Sequence, residues 1–230
     1  MREIVFDTET TGLSFSAGDR LVEIGCVELV HRVETGRVFH AYYHPERDMP
    51  AEAQSIHGLS MAFLSDKPRF HEGIEDLIAF VGDAPLIAHN AGFDFGFLNG
   101  ELARAGREVI HLSRMVDTLQ IARGRHPGAK HSLDALCSRY GIDRSHRVLH
   151  GALLDAQLLA QVYVELTGGR QIGLTLVAEE TRSLAPAARM PAAARPVRPP
   201  RLFAASEGER SAHAAFMATV VNPIWGDTAA

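Results

Sequence analysis

Lysine, cysteine and tryptophan are scarce in this chain of 230 residues. Lys67 and Lys130 are the only lysines, and a formal net charge of −5 argues against a protein that grips nucleic acid through general basicity. The two cysteines, Cys26 and Cys137, lie in apolar contexts without metal-ligand spacing. We therefore expect reduced core cysteines and no disulfide framework.

Long apolar runs are also missing from the sequence. No stretch reaches the roughly 18 to 20 apolar residues of a membrane span, so no membrane partner is expected. Glu3, Asp7 and Glu9 fall within the first ten positions, which predicts that there is no secretory signal and that the protein is cytoplasmic. A hydrophobic content of 46% is sufficient for a globular core and excludes wholesale disorder.

The sequence changes character near residue 176. The tail that follows is rich in alanine, proline and arginine, and no acid occurs between Arg182 and Arg201. Residues 177–213 are predicted to be a flexible linker, because this composition cannot bury enough apolar surface to offset the entropy of ordering. Residues 214–230 hold Phe216 and the single Trp225, and are either a docking peptide or a degradation-prone end.

The body before residue 176 alternates short apolar runs with turn signals. Strands are predicted at residues 4–6, 21–30, 37–43 and 85–88, with a hairpin turn at residues 34–36. Helical spacing appears around residues 74–81, 93–102, 133–140 and 154–162, and Ser132 and Gly141 are the predicted caps of the third helix. This order of elements indicates an α/β fold with a mixed sheet flanked by helices.

Carboxylates occur at three places where apolar elements should face inward. Asp7 and Glu9 leave the first strand two residues apart, Asp94 follows the fourth strand, and Asp155 lies on the last helix, five residues after His150. Buried carboxylates are costly unless they are paired or bound to metal. Since lysines are so few, the four acids are expected to converge without basic partners and to recruit divalent cations.

Oxygen ligands of this kind suit Mg²⁺ or Mn²⁺. Two such cations about 4 Å apart stabilise the attacking and leaving oxygens of phosphodiester hydrolysis. His150, with an intrinsic pKa of about 6.5, is suited to take the proton from the attacking water near neutral pH.

Each of these residues also has an ordinary structural explanation. Asp7 and Glu9 fit a strand-ending turn with solvated acids, and Asp94 fits a helix cap. Asp155 fits an exposed helical acid, and His150 fits a surface histidine. The joint occurrence of all five in this order is what favours a catalytic site.

Three segments together resemble the exonuclease motifs of the DEDD superfamily: residues 6–13 (FDTETTGL), 89–98 (HNAGFDFGFL) and 150–156 (HGALLDA). The histidine five positions before the last aspartate is typical of the DEDDh branch. More narrowly, the chain resembles the proofreading subunits of bacterial replicative DNA polymerases. The resemblance implies a ribonuclease-H-like fold with a five-stranded sheet over residues 1–170. It also implies removal of nucleotides from single-stranded or frayed DNA 3′ ends.

The resemblance also implies roles for individual residues. Asp7, Glu9 and Asp155 would hold one cation and contact the substrate, Asp7 and Asp94 would hold or approach the second, and His150 would be the general base. Three further residues would bind the terminal nucleotide: Thr10, His57 and Phe93. His89 and Asn90 are expected to orient the loop rather than bind metal, and Asp117 either supports the site or caps a surface helix.

Beyond the domain, residues 171–176 resemble a short peptide that binds the sliding clamp, through Gln171, Leu174 and Leu176. Leu176 stands where that family usually has an aromatic residue. The segment 214–230, with Phe216 and Trp225, takes the position of a tail that binds the catalytic subunit of the replicative polymerase.

Two other functions remain open from the sequence. A free-standing DEDDh nuclease would trim RNA or DNA 3′ ends, but it has no evident use for a linker that ends in an apolar peptide. A non-catalytic adaptor would tether polymerase to clamp, but it would not need all four acids.

Overall fold

The structure is a computed structural model that describes residues 1–147, 149–169 and 204–221. The central strand of its sheet is β1 (Arg2–Thr10). Four other strands join it: β2 (Leu21–Val30), β3 (Val33–Tyr42), β4 (Leu86–Ala88) and β5 (Met115–Asp117). They form a sheet in the order β3-β2-β1-β4-β5. β1–β2 and β2–β3 pair antiparallel, whereas β1–β4 and β4–β5 pair parallel, which confirms the predicted mixed sheet.

The hairpin between β2 and β3 turns earlier than the sequence predicted. His31 and Arg32 form the turn, and both adopt positive φ, at 52° and 64°. The prediction at residues 34–36 was therefore wrong. Gly36, at φ +82°, lies within β3, beside the shift in pairing between Val27 and Leu29. Both hairpin turns and β-bulges favour a residue with left-handed backbone, so a glycine signal fits either of them. Here Gly36 belongs to an irregularity within β3 and not to the turn.

Seven α-helices are described in residues 1–147 and 149–169: α1 (Ala51–His57), α2 (Met61–Leu64), α3 (Phe70–Val81), α4 (Gly92–Arg104), α5 (Thr118–Arg125), α6 (Leu133–Tyr140) and α7 (Ala152–Leu166). The four helical segments predicted from apolar spacing correspond to α3, α4, α6 and α7. The predicted caps of α6 are confirmed as well. The Ser132 side chain accepts a hydrogen bond from the Ala135 amide, and Gly141 ends the helix at φ +68°.

The two faces of β1 pack against different helices. Ile4 and Phe6 belong to a buried cluster that includes Phe95 of α4. Val5, between them, belongs to a second cluster that includes Ala156 of α7. Successive side chains of a strand point to opposite faces, so the carboxyl end of β1 is a place where residues from α4 and from α7 meet.

Residues 177–230 form a unit separate from residues 1–176. Within it, α8 (Glu207–Met217) begins at a capping box, in which the Ser206 hydroxyl accepts from the Glu209 amide and the Glu209 carboxylate accepts from the Ser206 amide. The helix includes the last seven residues of the predicted linker, residues 207–213. The flexibility of the linker stays a prediction, and its composition alone gave no sign of this capped helix.

Both cysteines are buried as free thiols, as expected. Burial raises the pKa of each thiol, so both are unreactive at neutral pH. Among the described residues, no helix combines the length and apolarity that crossing a membrane requires.

Candidate active site

Asp7 and Glu9 stand at the carboxyl end of β1, on the face that packs against α7. Burial, and then the charges of Asp94 and Glu9, raise the pKa of Asp7 well above its ordinary value. Burial and the charge of Glu23, the partner of Glu9 on β2, raise the pKa of Glu9 to about 8. Raised carboxyl pKa values of this kind are typical of functional sites, and a bound cation would stabilise the ionised form of both carboxylates.

Asp94 reaches the same place from the first turn of α4. It is buried, and its Oδ1 accepts a hydrogen bond from the Thr8 hydroxyl at 2.7 Å. Burial raises the pKa of Asp94 to about 7, although the hydrogen bond from Thr8 opposes that rise. Asp94 does not cap α4, since Ala91 is the N-cap residue and makes no side-chain cap.

Asp155 lies in the first turn of α7 and is also buried. It is therefore not an exposed helical acid. His150, just before α7, has a half-exposed side chain, and its Nδ1 lies 3.1 Å from Asp155 Oδ2. The His150 amide donates to the carbonyl of Ile56 at 3.2 Å, so the last turn of α1 supports the position of the imidazole.

Arg147 is a residue of this site that the sequence analysis missed. Its Nε and Nη2 donate to the two oxygens of Asp155 at 2.5 and 2.6 Å. The expectation of acids without basic partners was wrong, because it considered lysines and not arginines. The only signal in the sequence was the position of Arg147 three residues before His150. Although burial lowers the pKa of the guanidinium, the hydrogen bond and charge of Asp155 raise it above its ordinary value.

One open cavity of about 300 Å³ collects the predicted catalytic and metal-binding side chains. Its lining includes all four predicted acids together with His150, Arg147, Phe93 and His89. Three possible metal ligands are close together in this cavity: one atom each of Glu9, His150 and Asp155, all within 4.8 Å of one another. This spacing allows the three atoms to bind one metal ion. The single charge of Arg147 leaves the four acids with an excess of negative charge, and this donor set fits divalent cations.

The three residues predicted to bind the terminal nucleotide differ in their exposure. Phe93 is half-buried on the cavity wall and packs against Phe97 at a centroid distance of 5.0 Å. Thr10 and His57 are buried and do not line the cavity. The Thr10 hydroxyl donates to the Gly12 carbonyl at 2.6 Å. His57 accepts from the Leu59 amide at 3.0 Å, and its buried Nε2 has no partner among the described residues.

His89, Asn90 and Asp117 hold the loop between β4 and α4. His89 Nδ1 lies 2.9 Å from the Thr118 hydroxyl, and burial lowers the pKa of the imidazole. Asn90 adopts φ 63°, and its amide donates to Asp117 Oδ1 at 3.1 Å. The same oxygen accepts from the Leu119 amide and caps α5. Asp117 thus both caps a helix and supports the loop, which the sequence analysis had treated as alternatives.

Most residues assigned to protein partners lie outside the described residues. This applies to Gln171, Leu174 and Leu176 of the predicted clamp-binding peptide and to Trp225 of the tail. Phe216 is described, lies on α8 and has 65% of its surface exposed.

A mixed five-stranded sheet with four acids and a histidine in one cavity defines a metal-dependent nuclease of the ribonuclease-H-like fold. Solved structures agree with this class. Exonuclease X in complex with 5′ overhanging duplex DNA is 27% identical at a TM-score of 0.56, over 71% of this chain and 90% of that one. The nuclease domain of 3′hExo, a DEDDh family member bound to rAMP, shares the fold, at 17% identity and a TM-score of 0.63, over 72% of this chain and 91% of that one.

Sequence relatives narrow the class further. A family model described as Exonuclease (RNase_T) matches residues 4–163. The chain is 55% identical over 190 residues to DNA polymerase III subunit epsilon of Rickettsia felis, over 80% of this chain and 83% of the relative. It is 41% identical over 221 residues to the same subunit of Escherichia coli K12, over 93% of this chain and 91% of the relative. The chain therefore belongs to the exonuclease family and, within it, to the epsilon subunits of DNA polymerase III.

Proposed function

We propose that this cavity removes 3′-terminal nucleotides from single-stranded or frayed DNA, as the proofreading site of the replicative polymerase. The observation that carries the proposal is the convergence of four carboxylates, three of them buried, and His150 in one open cavity. Burial is the main cause that raises the pKa values of Asp7, Glu9 and Asp94, and the charges of neighbouring carboxylates raise them further. The site is thus built to accept positive charge.

Two divalent cations, Mg²⁺ or Mn²⁺, complete the site in this proposal. Asp7, Glu9 and Asp155 would hold one, and Asp7 and Asp94 the other. When bound, the cations would activate the attacking water and stabilise the charge on the leaving oxygen.

The remaining steps belong to side chains of this chain. His150 takes the proton from the attacking water, since its half-exposed imidazole reaches the cavity beside Asp155. Phe93 offers a ring face on which the terminal base stacks. Thr8 keeps Asp94 oriented by its hydrogen bond. Thr10 and His57 are buried and would not contact the terminal nucleotide through their side chains. They would instead support the backbone that binds it, as the Thr10 hydroxyl does by donating to the Gly12 carbonyl.

Delivery to the substrate depends on the tail in this proposal. Residues 214–230, including Phe216 and Trp225, would bind the polymerase catalytic subunit, and Gln171, Leu174 and Leu176 would bind the sliding clamp. The exposed Phe216 on α8 supports this assignment, because a large apolar side chain in solvent is available to a partner.

The direct test is digestion of a primer with a mismatched 3′ terminus by the full chain in Mg²⁺. Asp7→Asn is expected to abolish release of the terminal nucleotide, whereas Asp83→Asn, an exposed acid remote from the cavity, serves as the matched control. Substantial Mg²⁺-dependent digestion by the Asp7 variant would contradict the assignment.

A free-standing nuclease is the second candidate, and copurification separates it from the first. The proofreading function requires that the full chain retain a replicative polymerase on an affinity column. Efficient digestion of RNA and DNA 3′ ends without any retained polymerase would favour the free-standing enzyme.

A further inference from the structure

Arg147 joins three functional groups of the cavity through one guanidinium. Nε and Nη2 donate to Asp155, Nη1 donates to Asp134 Oδ1 at 2.7 Å, and Nη2 also faces His150. Only 10% of the Arg147 side chain is exposed, so these contacts form largely away from water. Charge-assisted bonds of this length are among the strong polar contacts of a protein.

The contact with Asp155 occupies the oxygens that a cation would use. Both carboxylate oxygens lie within 2.6 Å of a guanidinium nitrogen, in the paired geometry that suits arginine. A divalent ion at Asp155 would stand beside this fixed positive charge and be repelled by it. Arg147 and a cation therefore compete for the same carboxylate.

The same guanidinium also lies against the imidazole of His150. Arg147 Nη2 is 2.7 Å from Nδ1 and 3.4 Å from Nε2, so it stands over the ring face and not in line with the lone pair of one nitrogen. The lone pairs of an imidazole lie in the plane of its ring, so this contact leaves His150 able to accept a proton. The competition that involves Arg147 therefore concerns Asp155 alone.

We propose that Arg147 is a positioning residue that stands in for a cation at Asp155 and moves to Asp134 when a divalent cation binds Asp155. The inference rests on the proposed function, since it assumes that Asp155 is a metal ligand. It adds a competition at that ligand: the guanidinium lowers the affinity of the site for the cation.

Asp134 provides the second position that such an exchange needs. It already accepts from Arg147 Nη1, and its side chain is 48% exposed, so it can keep the guanidinium after Asp155 is lost. Arg144 Nη1 also donates to Asp134 Oδ1, at 2.9 Å. The anchor of His150 on the Ile56 carbonyl does not involve Arg147, so the imidazole keeps its place when the arginine withdraws.

The test is calorimetric titration of the full chain with Mn²⁺ alone, in the wild type, Arg147→Gln and Arg147→Lys. Removing the competing charge is expected to tighten Mn²⁺ binding roughly tenfold in Arg147→Gln, within the usual range of coupling between two sites. Arg147→Lys keeps a positive charge but cannot donate to both carboxylate oxygens at once. Its Mn²⁺ affinity is expected to lie between those of the wild type and Arg147→Gln. A merely structural arginine predicts the opposite, because a loosened site would bind Mn²⁺ more weakly.

Melting temperatures provide a second measurement that guards against misfolding. Arg147→Gln is expected to melt below the wild type in EDTA and to gain more from saturating Mn²⁺.

Asp155→Asn separates failure of this inference from failure of the proposed function. If Asp155→Asn binds Mn²⁺ as the wild type does, Asp155 is not a ligand and both proposals fall. If Asp155→Asn loses Mn²⁺ while Arg147→Gln binds it with unchanged or weaker affinity, only the role of Arg147 is overturned.

Discussion

Gly25 is the register partner of Asp7 across the β1–β2 pair, and the start of α7 rests against it. A Cβ on Gly25 would stand 2.2 Å from the backbone nitrogen of Leu153 and 2.3 Å from its Cα. Main-chain atoms cannot rotate away from such a contact as a flexible side chain can. The glycine therefore allows the first turn of α7, and Asp155 with it, to approach Asp7.

Replacing Gly25 by alanine tests this approach. We expect Gly25→Ala to push α7 outward, to lower kcat/KM for a mismatched primer about 100-fold or more, and to destabilise the fold by about 1–3 kcal/mol, as overpacking does. Gly96→Ala on α4 is the matched control, because a Cβ there meets nothing within 4 Å. Equal activity of the two variants would show that the contact does not set the position of Asp155.

The hydrogen bond from Thr8 to Asp94 is the second test. Thr8→Val keeps the shape but leaves the carboxylate without its donor at 2.7 Å, which raises the pKa of Asp94 further and costs about 1–3 kcal/mol of stability. We expect a higher Mg²⁺ concentration for half-maximal exonuclease rate. Thr8→Ser, which restores the hydroxyl, should return the Mg²⁺ requirement toward that of the wild type. A Thr8→Val enzyme with the wild-type requirement would exclude this role.

The raised carboxyl pKa values predict how pH affects the metal-free protein. In the folded state the pKa of Glu9 is about 8 and that of Asp94 about 7, against ordinary values of 4.5 and 3.8. At these two carboxyls the folded chain holds more protons than the unfolded chain between about pH 4 and pH 8, so their contribution to stability falls as pH rises through that range. The lowered pKa values of His57 and His89 act in the opposite sense below their ordinary value of 6.5, so the decrease of the melting temperature in EDTA is expected mainly between about pH 6.5 and pH 8.

Two measurements check the predicted fall of stability with rising pH. Glu9→Gln should show a smaller decrease, because it removes the group with the higher of the two values. Mg²⁺ should raise the melting temperature more at about pH 8 than at about pH 6, since the cations replace protons on the ligands. Equal pH dependence of the melting temperature in the wild type and Glu9→Gln would contradict the assignment of Glu9 as protonated in the folded state.

His150 is close enough to Glu9 and Asp155 to share one metal ion with them. Its role as the general base therefore needs a test that separates proton transfer from metal binding. His150→Ala is expected to lower kcat by about 10² to 10⁴, the usual contribution of a positioned base, and to leave Mn²⁺ affinity nearly unchanged. Calorimetric titration with Mn²⁺ alone gives the affinity. Loss of Mn²⁺ binding in this variant would make His150 a ligand instead.

The tail prediction concerns delivery rather than chemistry. Deletion of residues 177–230 should leave hydrolysis of short single strands intact, because every cavity residue precedes residue 156, and should abolish retention of polymerase in a pull-down. Phe216→Ala in the full chain is expected to weaken retention without changing hydrolysis. Retention of polymerase by the truncated chain would disprove the assignment of the tail.

Local patterns predicted much of the body, because their physical causes are local. Apolar spacing located α3, α4, α6 and α7, and Ser132 and Gly141 fixed the ends of α6 through hydrogen bonding and left-handed backbone. The β2–β3 turn was misplaced because His31 and Arg32 carry no glycine or asparagine signal. Their positive φ follows from the pairing of two long strands rather than from their own preference.

By itself, the sequence determined which acids were out of place: Asp7, Glu9, Asp94 and Asp155 interrupt apolar elements, and an unpaired carboxylate there has a high free-energy cost. Only the tertiary structure decided how those acids are balanced. Arg147 reaches Asp155 because the connection before α7 brings it there, and Gly25 admits α7 because β2 pairs with β1 in that register. The first contact depends on the path of the connection between α6 and α7, and the second on the approach of segments far apart in the chain; residue type and spacing encode neither.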